Sequence, residues 1–393
     1  MTRSFWQIKG ETRSAPRADS EIPAKCDIAV IGGGLTGIAT AYYLRMLGCQ
    51  DVIVLEKDFV GFGASGKNAG FLLAGLSEPY SRLVVGMGPE WAIRLMKTTL
   101  ENHDLIAEAI AANKIKCDYE RSGSVHLASS DVERKEYDDT LELLNRDGFR
   151  ADPIDKLPSR LSGFSGGYYF PQDGKLDPFA FVRGLSNGIQ VAEGFEAVEL
   201  RKTGVSVEII GKGGRLKSEM AIIATNGYLP LLDGFFEGLI FPVRGQMMAT
   251  FPLAKNVLGK AVFYANFGYD YFRQSVGNNI IIGGLRNRYL KEEIGFDDAI
   301  NNPLQSDLST YLNERLGVND FRIMTRWSGL MGDTIDGLPI VGALPHNSSV
   351  IAAAGFNGHG FGLAMVVARD LAKAILKGER SDVLDRFSLR RFL

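Results

Sequence analysis

One stretch, Asp27 to Glu56, constrains this chain more than any other. Asp27-Ile28-Ala29-Val30-Ile31 is a short apolar run rich in β-branched residues, which predicts a buried parallel strand. Gly32-Gly33-Gly34-Leu35-Thr36-Gly37 follows and fits G-x-G-x-x-G. The apolar segment after it predicts a helix that stops at Gly48, and Asp51-Val52-Ile53-Val54-Leu55 predicts a second strand closed by Glu56. Each part has a physical job. Gly32 permits a tight turn, Gly34 lets backbone approach a pyrophosphate, and Gly37 lets helix and strand pack closely. The phosphates meet the free N–H groups and positive dipole end of the helix, which opens with Leu35 and Thr36. Glu56, 19 residues past Gly37, is placed to accept hydrogen bonds from an adenosine ribose. The whole unit predicts that the chain binds a dinucleotide.

The rest of the composition suits a water-soluble enzyme of more than one domain, since 393 residues with 45% hydrophobic content can fill two cores. A net charge of −2 argues against nucleic acid or an anionic membrane as partner. Cys26, Cys49 and Cys117 lie far apart without metal spacing, which points to reduced thiols and a cytoplasmic location. Ile28 to Leu44 is uncharged and follows Lys25, so it imitates the apolar region of a signal peptide; the glycine fingerprint inside it explains that apolarity better. Residues 1–25 are polar and read as a surface arm anchored by Phe5 and Trp6. His103 and His126 have no spacing partners, so no metal site is expected.

Further pieces support a ligand wrapped by backbone. Gly61-Phe62-Gly63-Ala64-Ser65-Gly66-Lys67-Asn68-Ala69-Gly70 comes directly after the second strand and suits a loop that presents N–H groups to a polar ligand. Ala197–Leu200 and Ser206–Ile210 predict a hairpin, and Met220 to Ala224 a buried strand ending in Thr225-Asn226-Gly227. Pro242-Val243-Arg244-Gly245-Gln246 precedes a segment, Phe263 to Leu285, in which aromatic and polar residues alternate. Near the end, Ser349 to Gly355 predicts a strand, followed by Phe356-Asn357-Gly358-His359-Gly360-Phe361-Gly362 and a helix to Lys377. That second strand–glycine–helix unit can aim another helix N-terminus at a ligand.

Together these residues resemble the FAD-dependent amine and amino-acid oxidases related to D-amino-acid oxidase, glycine oxidase and sarcosine oxidase, from about Cys26 to Lys377. Gly61 to Gly66, Ile115-Lys116-Cys117-Asp118-Tyr119 and Arg326-Trp327-Ser328-Gly329 have the style of the γ-glutamylputrescine oxidase branch. The resemblance implies an α/β fold: a Rossmann-like FAD domain of the glutathione-reductase type, interleaved with an α+β substrate domain carrying a large mixed sheet. The FAD domain would take residues 26–85, 151–234 and 326–393, and the substrate domain residues 86–150 and 235–325.

By the same resemblance, Gly32, Gly34, Gly37, Glu56 and Lys57 would hold the ADP half, and Val198 would meet adenine through its backbone. Ala64, Ser65, Asn68, Ala69 and Gly70 would pass the pyrophosphate and the flavin ring, with Ala224 and Thr225 at a strand end beside the cofactor. Gly355, Asn357, Gly358, His359, Gly360 and Gly362 would lie along the ribityl chain and the flavin pyrimidine. Sarcosine oxidases carry a flavin-linked cysteine near the position of Gly329; none stands here, which implies noncovalent FAD. They also place a lysine for a substrate carboxylate where this chain has Gly362, which argues against a simple α-amino acid substrate.

The implied chemistry is oxidation of a C–N bond of a small amine by hydride transfer to flavin N5, giving an imine that water hydrolyses. The expected electron acceptor is O2; a dehydrogenase passing electrons to a quinone or a protein is the rival of the same fold. A noncatalytic or tRNA-modifying flavoprotein is the rival of another class, and it would ordinarily carry basic patches. No side-chain base is required. Expected substrate contacts are Tyr269, Tyr271 and Arg273 on the aromatic-rich strand, Arg244 nearby in sequence, and His359.

Overall fold

In the strand Lys25–Ile31, Ile28 and Val30 enter one core while Ala29 and Ile31 enter another. The next strand, Val52–Glu56, divides in the same way, with Val52 and Val54 on one side and Ile53 and Leu55 on the other. A strand that feeds two cores has no polar face, which is why both sequences read as unbroken apolar runs. Helices Leu35–Met46 and Gly360–Lys377 cover one face through Ile38, Leu44, Leu363 and Val367. Phe195, Leu216, Leu229 and Phe236 cover the other. A fully buried Val or Ile stabilises the fold by about 1.5–3 kcal/mol.

The computed structural model describes residues 1–11 and 22–393. Its first sheet runs in the order Ile340–Leu344, Asn347–Ala354, Gly214–Ile223, Lys25–Ile31, Val52–Glu56, Gln190–Glu193. From Asn347–Ala354 onward the pairing is parallel, with Ile31 opposite both Leu55 and Ile223, and Ile223 opposite Ala352. Glu196–Thr203 and Ser206–Lys212 form an antiparallel ribbon on its flank, as the hairpin reading expected. Parallel register brings the carboxyl ends of five strands to one edge, the place where such sheets bind ligands. Gly32, Glu56, Ala224 and Gly355 all follow or close those strands.

A second mixed sheet runs Ile323–Thr334, Ile240–Thr250, Ile280–Gly284, Asp270–Gln274, Val262–Ala265, Ser124–Leu127, Gly167–Phe170, Asp152–Ile154. Alternation assigns its faces. Met248, Phe272, Ile280 and Ile282 pack under the helix Asn302–Thr310, while Met247, Ala249, Ile281 and Trp327 face the first domain.

Three expectations about organisation are corrected. Asp152–Ile154, Gly167–Phe170 and Ile323–Thr334 pair in the second sheet, so the FAD domain does not begin its later segments at 151 and 326. The helical stretch 86–150 splits. Helix Pro89–Asn113 packs on Gly360–Lys377 of the first domain, where the Asn102 amide donates to Phe361 O at 2.7 Å and accepts from Met365 N at 2.9 Å. Finally, Ser4 to Gln7 are not a surface arm: Trp6 is 1% exposed, and Phe5 to Glu11 form a helix seated on the loop 61–70. The remainder of the arm from 12 to 21 lies outside the described residues.

Candidate active site

Gly37 shows why the fingerprint needs its third glycine. A Cβ there would stand 2.0 Å from Gly32 O, so only glycine lets the helix Leu35–Met46 start this close to the turn. Gly34 is different: a Cβ would meet Ser65 Oγ at 3.1 Å, on the side where the backbone borders a cavity. The Ser65 hydroxyl accepts from Leu35 N at 2.8 Å and so binds the loop to the helix N-terminus.

The cavity has a volume of about 610 Å³ and runs from Glu56 and Lys57 to Tyr271 and Arg286. Every residue expected to hold the cofactor lines it except Gly37, Gly70 and Gly355, whose work is in the backbone around it. Gly355 donates its N–H to Asn226 Oδ1 at 3.0 Å, which ties the two carboxyl-edge turns together. Asn226 was not singled out in the sequence; its left-handed backbone, φ +50°, is the signal a turn-forming Asn offers. Among the buried polar atoms without a protein partner is Thr225 Oγ1, which belongs to the cavity wall. First-turn N–H groups, an acid at the second strand end and this unpaired hydroxyl fit a dinucleotide.

Electrostatics at the Glu56 end of the cavity centre on that carboxylate. It accepts from Gly33 N at 2.7 Å and Asp58 N at 2.9 Å. Burial nonetheless pushes its pKa up to about 7, against the lowering effect of those two N–H groups. Lys57 lies over the Tyr228 ring, 4.3 Å from its centroid. Deeper in, burial lowers the pKa of Lys67, and Asp298 receives its ammonium at 2.7 Å.

At the other end stands an aromatic wall. Tyr264 and Tyr271 have ring centroids 6.2 Å apart, Phe71 lies 6.1 Å from Tyr264, and His359 meets Tyr264 edge-on at 6.3 Å. Gly283 makes room for Tyr271, because a Cβ there would stand 2.5 Å from the ring. Burial pushes the Tyr271 phenol up to about 12, so it is a neutral donor at physiological pH. Burial also lowers His359, whose Nδ1 lies 3.1 Å from Asn357 O. That contact places the proton on Nδ1 and leaves Nε2 as an acceptor.

The sequence-expected arginines are not in the wall. Arg273 is 1% exposed and donates to Gly70 O at 2.8 Å and Leu176 O at 3.0 Å, stacked over Trp6. Burial lowers its pKa to about 10, still high enough to keep the charge. Arg244 pairs with the buried Glu293 at 3.2 Å and lines no part of the cavity. Tyr269, Tyr271 and His359 do line it. The arginine in the wall is Arg286, just past the strand Ile280–Gly284, paired with Asp333 at 3.0 Å. Nothing in the alternation pattern marks it, because it sits on a short 3-10 turn after the left-handed Leu285.

At Gly362 a Cβ would stand 2.7 Å from Leu73 O, so a long side chain has no room there. Among the described residues no group of His, Cys, Asp and Glu is arranged to hold a metal, and no helix is long and apolar enough to cross a membrane.

A family model described as FAD dependent oxidoreductase matches residues 27–374. The gamma-glutamylputrescine oxidoreductase of Escherichia coli is 28% identical over 373 residues, covering 90% of this chain and 84% of that protein. The probable oxidoreductase OrdL of Haemophilus influenzae is 27% identical over 380 residues, covering 89% and 83% respectively. Glycine oxidase from Geobacillus kaustophilus shares the fold with a TM-score of 0.79 at 22% identity, over 94% of this chain and 100% of that one. L-proline dehydrogenase from P. horikoshii aligns with a TM-score of 0.79 at 22% identity, over 94% and 98%.

Proposed function

The chain belongs to the family of FAD-dependent oxidoreductases, and on that footing we propose that it oxidises the C–N bond of a small amine or amino-acid derivative. The observation that carries this reading is the single cavity that joins the Glu56 carboxylate to the aromatic wall. Glu56 and the Gly32–Gly37 turn would hold the ADP half, Ala64 to Ala69 the pyrophosphate and one flavin edge, and Gly358 to Gly362 the pyrimidine end. When bound, FAD supplies the two-electron chemistry: hydride leaves the carbon bearing nitrogen for N5, and O2 is the expected acceptor with H2O2 as product.

The protein's share is to bind, orient and desolvate. Phe71, Tyr264 and Tyr271 form an apolar surface that favours the neutral amine over ammonium, which is the form whose lone pair assists oxidation. The phenols, with raised pKa values, and His359, with a lowered one, are uncharged donors and acceptors rather than counter-ions. The Arg286–Asp333 pair is the polar group nearest in kind to a substrate tail, replacing Arg273 in that role. A tailed amine agrees with the closed position at Gly362 and with the similarity to gamma-glutamylputrescine oxidoreductase. Three unpaired thiols among the described residues support a reducing compartment such as the cytoplasm.

The test is an anaerobic screen of γ-glutamylated amines, free polyamines, glycine, sarcosine and D-amino acids for bleaching of the flavin. Air is then admitted and peroxide measured. Bleaching by tailed amines, with peroxide on reoxidation, is expected. Fast turnover of glycine or D-alanine with tailed amines inert would overturn the tail. Bleaching without peroxide would replace O2 with another acceptor.

A further inference from the structure

The loop Gly61–Gly70 contributes Phe62, Ala64, Ser65, Lys67, Asn68 and Ala69 to the cavity, and its outward carbonyls are captured one after another. Gln7 Nε2 donates to Phe62 O at 2.8 Å, Ser4 Oγ to Gly66 O at 2.6 Å, and Trp6 Nε1 to Asn68 O at 2.8 Å. Trp327 Nε1 takes Lys67 O at 2.8 Å and Arg273 takes Gly70 O at 2.8 Å, while the Arg273 guanidinium lies over the Trp6 ring. Ser4 and Gln7 are 0% exposed. Thr2 and Lys67 share the Asp298 carboxylate, so a cavity-lining lysine is joined to the same segment. Turning a loop's carbonyls outward points its other polar groups inward, and holding them costs order that the loop would otherwise give up on binding.

We propose that residues 2–10 are a clasp that positions the cofactor loop, with Trp6 and Gln7 as positioning residues that set FAD affinity without touching the cavity. Neither lines it. The clasp holds Gly61–Gly70 in its binding form before FAD arrives; with the clasp released, only a fraction of molecules is competent and the apparent affinity falls by that fraction. Three side-chain donors from outside the two domains' sheets serve this ten-residue loop.

The experiment uses the full chain carrying Trp6→Phe, which keeps most of the ring and removes the donor, and the double variant Trp6→Phe/Gln7→Leu. FAD affinity of the apoprotein is titrated by flavin fluorescence, and amide exchange of residues 61–70 is followed without FAD. The expected result is affinity about fivefold weaker in the single and at least about tenfold weaker in the double variant, with faster loop exchange in each. Unchanged affinity in the single variant overturns the proposal, whatever happens to thermal stability, because a merely structural role moves stability alone. Weaker affinity without faster loop exchange overturns it too. Should the double variant fail to fold, the single one decides. The wild-type titration stands apart as the control on FAD binding itself.

Discussion

At the scale of single residues, Glu56 is the most exacting. A buried carboxylate that receives ribose hydroxyls makes charge-assisted hydrogen bonds worth ~1.5–3 kcal/mol each. Glu56→Ala should therefore weaken FAD at least about tenfold, a factor that corresponds to ~1.4 kcal/mol, measured by titrating the apoprotein. The pH dependence follows from its pKa near 7 before binding. Ribose donors favour the ionised form, so affinity should fall as pH drops below about 7 and level off above it, and Glu56→Gln should remove that slope. Arg286 gives a second prediction at this scale. On the proposed reading it would meet a tail carboxylate alike in ground and transition states, so Arg286→Ala should raise KM for a γ-glutamylated amine and leave kcat nearly unchanged. Arg273→Ala should instead unsettle the fold, since it strips Leu176 O of its side-chain donor and leaves Gly70 O with the Leu176 N–H alone. The contrast shows where residue-level reading stops. Alternation puts Tyr271 and Arg273 on one face, and both do face the first domain. Only pairing, Tyr271 opposite Gly283 and Arg273 opposite Ile281, decides which of the two borders the cavity and which lies under Gly70.

At the scale of elements, local signals were strong wherever one residue type had one job. The strand Lys25–Ile31, the helix stop at Gly48 with φ +104°, the hairpin at 196–212 and the helix from Gly360 to Lys377 all follow from periodicity and turn chemistry. The cavity wall was legible for the same reason, since glycines and a terminal acid mark where backbone borders open space. Helix Pro89–Asn113 was legible as a helix but not in its allegiance. Its tie is Asn102, 0% exposed, which donates to Phe361 O and accepts from Met365 N and Val366 N in the first turns of Gly360–Lys377. A lone Asn in an amphipathic pattern carries no sign of such a partner. Asn102→Leu leaves those backbone groups without their polar bridge and should lower stability by ~2–4 kcal/mol. Denaturant unfolding of the apoprotein checks it, and a shift under 1 kcal/mol, about the value of an ordinary surface change, would mean the helix closes its own ladder.

At the scale of the whole molecule, buried ionisable groups set how stability responds to pH. Burial pulls His103 down to about 4 and His126 down to about 3. Both are below the unfolded value near 6.5, so between about pH 4 and 6.5 the unfolded chain binds more protons there and stability should rise with pH. Burial pushes Asp173 up to about 7, as it does Glu56. In these two acids the folded chain keeps protons that the unfolded chain has lost, so their contribution falls as pH rises through the same window. His359 is lowered as well and Asp270 is pushed up to about 6, so histidines and acids oppose one another and their contributions partly cancel between about pH 4.5 and 6.5. One of the acids lies close to one of the histidines: Ser124 Oγ stands 2.6 Å from Asp173 Oδ2 and 3.0 Å from His126 Nε2. Asp173→Asn can keep the contact to Ala74 N while removing the titration, leaving the histidines less opposed. Its stability should then climb with pH more steeply than that of the wild type, by about 1.4 kcal/mol per unit. Urea unfolding at a series of pH values reads the difference directly. Parallel curves for the two proteins would mean that Asp173 is ionised throughout.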